Sequence, residues 1–84
     1  MSGVLAILGA AAARGALERA DGFDEIVVLE DSVDELERLQ HELADPRLDY
    51  LLGALPVLPL PDGSVDLVIG ADDEAHPEVV RVLR

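Results

Sequence analysis

The sequence predicts an α/β fold, a parallel sheet of about four strands with flanking helices. Three observations predict it. Apolar runs such as Val4-Leu5-Ala6-Ile7-Leu8 and Ile26-Val27-Val28-Leu29 lack polar alternation, which fits strands buried on both faces. Segments of helical spacing separate these runs. Prolines, glycines and Asp-Gly pairs punctuate the joins. Strands that alternate with helices need crossover connections, which are right-handed in a parallel sheet.

The first strand is Val4 to Leu8, closed by Gly9. Ala10 to about Ala20 is rich in helix formers apart from Gly15, with Leu17 and the alanines as a narrow apolar face. Asp21-Gly22 ends that helix, the glycine being free to take positive φ. Glu25 to Leu29 is the second strand. Ser32 then opens the clearest helix: it can cap the amide of Glu35, and Glu35 can reach back, as in a capping box. Val33, Leu36, Leu39 and Leu43 form its apolar face, Glu37 and His41 its wet one, and Asp45-Pro46 stops it.

Leu48 to Leu55 holds a third apolar run, interrupted by Gly53. Pro56, Pro59 and Pro61 exclude a central strand and mark a loop. Val65 to Ile69 is the fourth strand, and Gly70-Ala71-Asp72-Asp73-Glu74 an acidic loop. His76 precedes or caps a last helix with Pro77 in its first turn and Val79, Val80 and Leu83 on its apolar face. That helix is expected to be still running at Arg84.

Eighty-four residues make one small domain, residues 1–84. With no cysteine, neither disulfides nor thiolate metal sites can support it. Phe23 and Tyr50 are the only aromatics, so Leu, Val, Ile and Ala must build the core. Eighteen acidic residues face six arginines and no lysine, for a net charge of −12. Such a chain repels phosphate backbones and anionic lipid, which argues against nucleic-acid and membrane-surface roles. No apolar run reaches the roughly 20 residues of a membrane span, and a soluble cytoplasmic protein is expected. The acidic, lysine-free surface fits adaptation to a high-salt (halophilic) cytoplasm.

The stretch Leu58 to Gly70, followed by Arg81-Val82-Leu83-Arg84, resembles the fourth strand and following helix of class I S-adenosylmethionine-dependent methyltransferases. The apolar strand ending at Gly9 is similar to that family's first strand and glycine-rich loop, and Glu30-Asp31-Ser32 follows the second strand where the family places an acidic residue for the ribose hydroxyls. The resemblance runs from Val4 to Arg84 and implies a Rossmann-like half domain. It also implies that Gly9 and Glu30 are the cofactor-binding residues. The family's second and third glycines fall on Ala11 and Ala13, where each Cβ narrows the approach and favours an early helix. Its acidic positions two before the first glycine and after the third strand fall on Ile7 and Ala54. The family's later strands are absent, which leaves strand four as an open apolar edge, a template for a homodimer or for a protein partner.

Other candidate residues carry less. Asp31 is expected to set the turn, and His41 to be solvated. Asp72, Asp73 and Glu74 lack the spaced ligands of a cation loop, and no second His or Cys accompanies His76. Ser2, Ser32 and Ser64 show no nucleophile setting, so neither a catalytic residue nor a metal site is expected. Two function classes stay open. The first is a degenerate, non-catalytic module (a pseudoenzyme) that acts by protein association and binds no cofactor. The second binds S-adenosylmethionine as a methyltransferase, or a methyltransferase subunit, whose site another chain completes.

Overall fold

The structure is a computed structural model, and it describes residues 3–16, 22–43, 45–71 and 75–84. Four strands form one sheet: β1 (Val4–Leu8), β2 (Glu25–Glu30), β3 (Leu48–Leu52) and β4 (Leu67–Ile69). All pairings are parallel and the spatial order is β3-β2-β1-β4. The order reverses at β1: β2 and β3 step out on one side, while β4 returns to the other.

Successive side chains of a strand point to opposite faces, so each buried strand feeds two cores. Leu5, Ile7, Ile26 and Val28 meet α1 (Ala10–Ala16) and α2 (Val33–Glu42) through Ala10, Ala13, Ala16 and Leu39. Ala6, Val27 and Leu29 face the other way and meet Leu58, Val65 and Val82, from the proline-rich loop and α3 (Pro77–Val82). The apolar runs of β1 and β2 are thus covered on both sides, as their lack of alternation requires. The end of the first expected helix beyond Ala16, with Leu17 and Asp21, lies outside the described residues, as do Ser2 and the acidic run Asp72–Glu74. Gly22 does take positive φ, 93°.

The Ser32 side chain accepts from the Glu35 amide at 3.4 Å, but the reciprocal half of the expected capping box does not form. The Ser32 amide donates instead to Glu30, and Glu35 pairs with Arg14 and Arg38. Along α2 only Leu39 is fully buried, and Val33, expected on the apolar face, is 54% exposed because it opens the helix beyond the sheet.

Three expectations for the C-terminal part are corrected. β4 begins at Leu67 rather than Val65, because Asp66 turns its carboxylate onto the Val4 amide at 2.8 Å. Val65 instead forms a parallel bridge with Leu83. α3 has ended by then: Leu83 is its C-cap and the helix is not running at Arg84. On α3 the buried residues are Val79 and Val82, while Val80 is 58% exposed. His76 caps the helix, its Nδ1 accepting from the Glu78 amide at 3.1 Å.

Arg81 ties α3 to the proline-rich loop. Its guanidinium donates to the Leu58 and Leu60 carbonyls and pairs with Glu78 and Asp62. Glu78 in turn accepts from the Leu58 amide at 3.0 Å. The loop lacks strand partners, so these bonds replace a ladder. Arg47 does comparable work before β3: its guanidinium meets both oxygens of Asp45 and holds that carboxyl down at about 2.

Candidate functional site

In an open parallel sheet, ligands bind beyond the carboxyl ends of the strands, at the point where the strand order reverses. A cleft of about 230 Å³ lies there, lined by residues that include Leu8, Gly9, Glu30, Asp31, Leu55 and Gly70. All but Leu55, which the proline-rich loop brings in, enter from a strand end. Gly9 follows β1 with φ 97°, a conformation that lets the chain turn at once into α1. Its amide donates to the Leu29 carbonyl at 2.7 Å, locking the turn to β2. Gly70 follows β4 with φ 89° and sits so close to β1 that a Cβ there would run into the Leu8 carbonyl oxygen and lie 2.9 Å from the Ala12 Cβ.

Glu30 is the last residue of β2 and is half-buried. One carboxylate oxygen accepts from the Ala10 amide at 3.0 Å, the other from the Ser32 amide at 2.8 Å. The carboxylate therefore bridges the amino ends of α1 and α2, where helix dipoles favour negative charge. The Ala10 amide bond, opposed by burial and reinforced by the Ser32 amide, holds the Glu30 carboxyl below its ordinary range. The neighbouring Asp31 carboxyl is pushed up by its hydrogen bond with Glu30 and by repulsion from it. Of the two carboxyls, Glu30 is the one the backbone amides hold in its charged form. A carboxylate offers about four lone-pair positions, so Glu30 retains acceptor capacity toward the cleft.

The structure brings Gly9 and Glu30 together on one cleft. It turns other sequence positions away. α1 starts at Ala10, and Ala13 faces the sheet, fully buried. Its Cβ therefore does not narrow the cleft as expected; it packs the core. Ala11 and Ala12 line a different groove, of about 270 Å³, with Gly15, Ala16 and Ile69. Ile7 is buried on the α1 and α2 face, and Ala54 lines the cleft without a polar group. Asp31 and Leu55 are cleft residues that the sequence reading did not assign. Asp31 had a signal in its adjacency to Glu30. Leu55 is delivered only by the fold-back of the proline-rich loop, which begins where Gly53 leaves room for Pro59.

Each arginine among the described residues is paired. Arg14 pairs with Glu35 and Glu42, Arg38 with Glu35, Arg47 with Asp45, Arg81 with Glu78 and Asp62, and Arg84 with Asp66. Among the described residues no group of three or more His, Cys, Asp or Glu is placed to hold a metal, and no helix is long and apolar enough to cross a membrane.

No family model and no curated protein matches the sequence. Solved structures match over nearly the whole chain. The methyltransferase in a complex with the Haloferax volcanii Trm112 methyltransferase activator superposes with a TM-score of 0.79 at 26% identity, covering 98% of this chain and 41% of that one. An S-adenosylmethionine-dependent methyltransferase of Methanococcus maripaludis gives 0.71 at 21% identity, covering 100% and 44%. The [4+2]-cyclase SpnF gives 0.72 at 22% identity, covering 99% and 36%. The chain has the Rossmann-like class I methyltransferase fold and spans about two fifths of the length of these structures.

The fold implies S-adenosylmethionine, and the residues here fit it in part. Apolar walls and the Glu30–Asp31 pair suit a ribose and a base. Beside Gly9 less is free: the Ala10 amide is held by Glu30, Ile7 is apolar and buried, and α1 begins directly at Ala10. Small-molecule sites usually enclose roughly 300–1,000 Å³, and this cleft is smaller.

Proposed function

We propose that residues 1–84 act as a single methyltransferase-like module that works by joining another polypeptide, without carrying out methyl transfer alone. The observation that supports this reading best is a contrast between two places. At the cleft the chain engages its own polar groups, with both Glu30 oxygens on backbone amides. The β4 edge is open, with Leu67 44% exposed. An apolar open edge is a template for pairing. No acid–base or nucleophilic pair faces the cleft beyond Glu30 and Asp31, among the described residues. A high-salt cytoplasm is the setting we assign, since a net charge of −12 repels itself least there.

The test is a calorimetric titration of the folded protein, in molar potassium chloride, with S-adenosylmethionine and with its demethylated product. No saturable heat is the expected result. Saturable micromolar binding would overturn the reading and favour a second one, in which the module binds the cofactor and another chain completes the site. The position of the cleft, at the reversal of strand order and beside a spare face of Glu30, is what favours that alternative. It expects Glu30→Ala to weaken the affinity.

A further inference from the structure

His41 and His76 are the two imidazoles of the chain. His41 is exposed on α2. His76 stands at a join between elements. It is half-buried before α3, and its Nδ1 accepts from the Glu78 amide at 3.1 Å. Glu78 in turn carries the bond that seats the proline-rich loop, its Oε1 accepting from the Leu58 amide at 3.0 Å. Leu58 is buried in the core with Leu29, Val65 and Val82. The same loop brings Leu55 to the cleft. A chain of two hydrogen bonds therefore runs from an imidazole nitrogen to the loop that walls the cleft.

A ring nitrogen accepts a hydrogen bond only while it lacks a proton, and in imidazolium both nitrogens are donors. A proton on His76 Nδ1 sets donor against donor at the Glu78 amide. It also sets a positive charge near the Glu78 carboxylate, in competition with the Leu58 amide for the same oxygens. Both effects act on the seat of Leu58. We infer that His76 is a proton-controlled latch on the proline-rich loop. The neutral imidazole caps α3 and keeps Leu58 seated through Glu78; the imidazolium loosens that seat, and with it the Leu55 wall of the cleft.

The charged groups around the latch set its window. Arg81 and then the Leu58 amide hold the Glu78 carboxyl below its ordinary range, so Glu78 stays charged where imidazoles titrate, between about pH 5 and 8. Arg81 keeps its charge throughout and pairs with Glu78 and with Asp62 of the loop. Asp72, Asp73 and Glu74, which precede His76 in the chain, lie outside the described residues. His76 is the only imidazole of the loop and α3. The Arg81 bonds to the Leu58 and Leu60 carbonyls do not pass through the imidazole, so the loop stays tethered and the opening is local.

The test is amide hydrogen exchange of the full chain in molar potassium chloride at the two ends of that window, about pH 5 and about pH 8. Rates are expressed as protection relative to an unstructured peptide, so that the pH dependence of exchange itself cancels. The Leu58 amide is the reporter, and the Ile26 amide, bonded to the Arg47 carbonyl in the sheet, is the reference. Toward the acid end, Leu58 protection is expected to fall about two- to tenfold relative to Ile26, the scale of a lost helix cap. His76→Asn keeps a capping oxygen that does not titrate, and its ratio is expected to stay at the alkaline wild-type value throughout. His76→Ala has no cap, and its ratio is expected to lie low at both ends. A wild-type ratio that does not move with pH overturns the latch. A fall in the His76→Asn chain equal to the wild-type fall also overturns it, because His41 and the carboxylates are all that remain to titrate. A His76→Ala chain that matches the alkaline wild type overturns the link from cap to loop.

Discussion

Gly70→Ala is the substitution on which the cleft's construction can be judged. Two costs add at this position. The backbone has φ 89°, and an L-residue in left-handed territory loses roughly 1–2 kcal/mol relative to glycine. The new methyl would also drive into the Leu8 carbonyl and approach the Ala12 Cβ at 2.9 Å, both on the rigid β1–α1 connection. Overpacking a tight site costs about 1–3 kcal/mol, so the total is about 2–5 kcal/mol. A domain of this length has roughly 4–13 kcal/mol in all, and the variant should melt roughly 8–40 °C lower. Gly9→Ala isolates the backbone share. It has φ 97° and nothing within 4 Å of its Cβ, so it should lose only about 1–2 kcal/mol. The assay is urea unfolding of both variants in molar potassium chloride, with the slope m unchanged so that midpoints report stability. Equal losses for the two variants would refute the close approach of β4 to the β1–α1 turn.

The other predictions follow from packing, capping and charge. Leu39→Ala, at the fully buried centre of the α2 contact, should cost about 2–5 kcal/mol in the same urea assay. Ser32→Ala should cost about 0.5–1 kcal/mol, at the low end for an N-cap because the bond is 3.4 Å long and the box is half formed. Asp45 has a depressed folded pKa, so its contribution is present above its ordinary value near 3.8 and is lost as pH falls toward about 2. Asp45→Asn should flatten the acid limb of stability over that window, measured by unfolding at successive pH values. Circular dichroism should show helix and strand content rising from dilute buffer to molar potassium chloride as the acidic surface is screened. A spectrum invariant with salt would remove the high-salt reading.

Most of the fold was legible because burial leaves a local imprint. β1 and β2 are covered on both faces, and their sequences say so through uninterrupted apolar runs. His76 and Pro77 announce α3 by capping chemistry that needs no tertiary information. What could not be read is what residues far apart do to one another. Glu35 carries the signature of a capping box, but Arg14, 21 residues away, competes for its carboxylate, and Glu30 claims the amide it would have reached. Val65 and Val80 belong to apolar runs, yet one pairs with Leu83 and the other faces solvent, because the ends of β4 and α3 are fixed by their neighbours. The cleft divides in the same way. Gly9 and Glu30 are local signals at strand ends, whereas Leu55 arrives through a loop held by Arg81.

The alanines after Gly9 connect fold and function more closely than either does alone. An open glycine loop leaves amides free for a ligand but loses conformational entropy on folding, whereas alanine favours the helix by about 1 kcal/mol per residue over glycine. With alanine at positions 10 to 13, helix geometry begins at once and Ala13 becomes a core residue. The first amide of that helix then needs a partner, and the nearest acceptor is the carboxylate at the end of β2. Glu30 thereby bridges α1 to α2 through Ala10 and Ser32 while still lining the cleft. The same alanines that steady a small, cysteine-free core thus engage the Ala10 amide and one lone pair on each Glu30 oxygen within the chain itself.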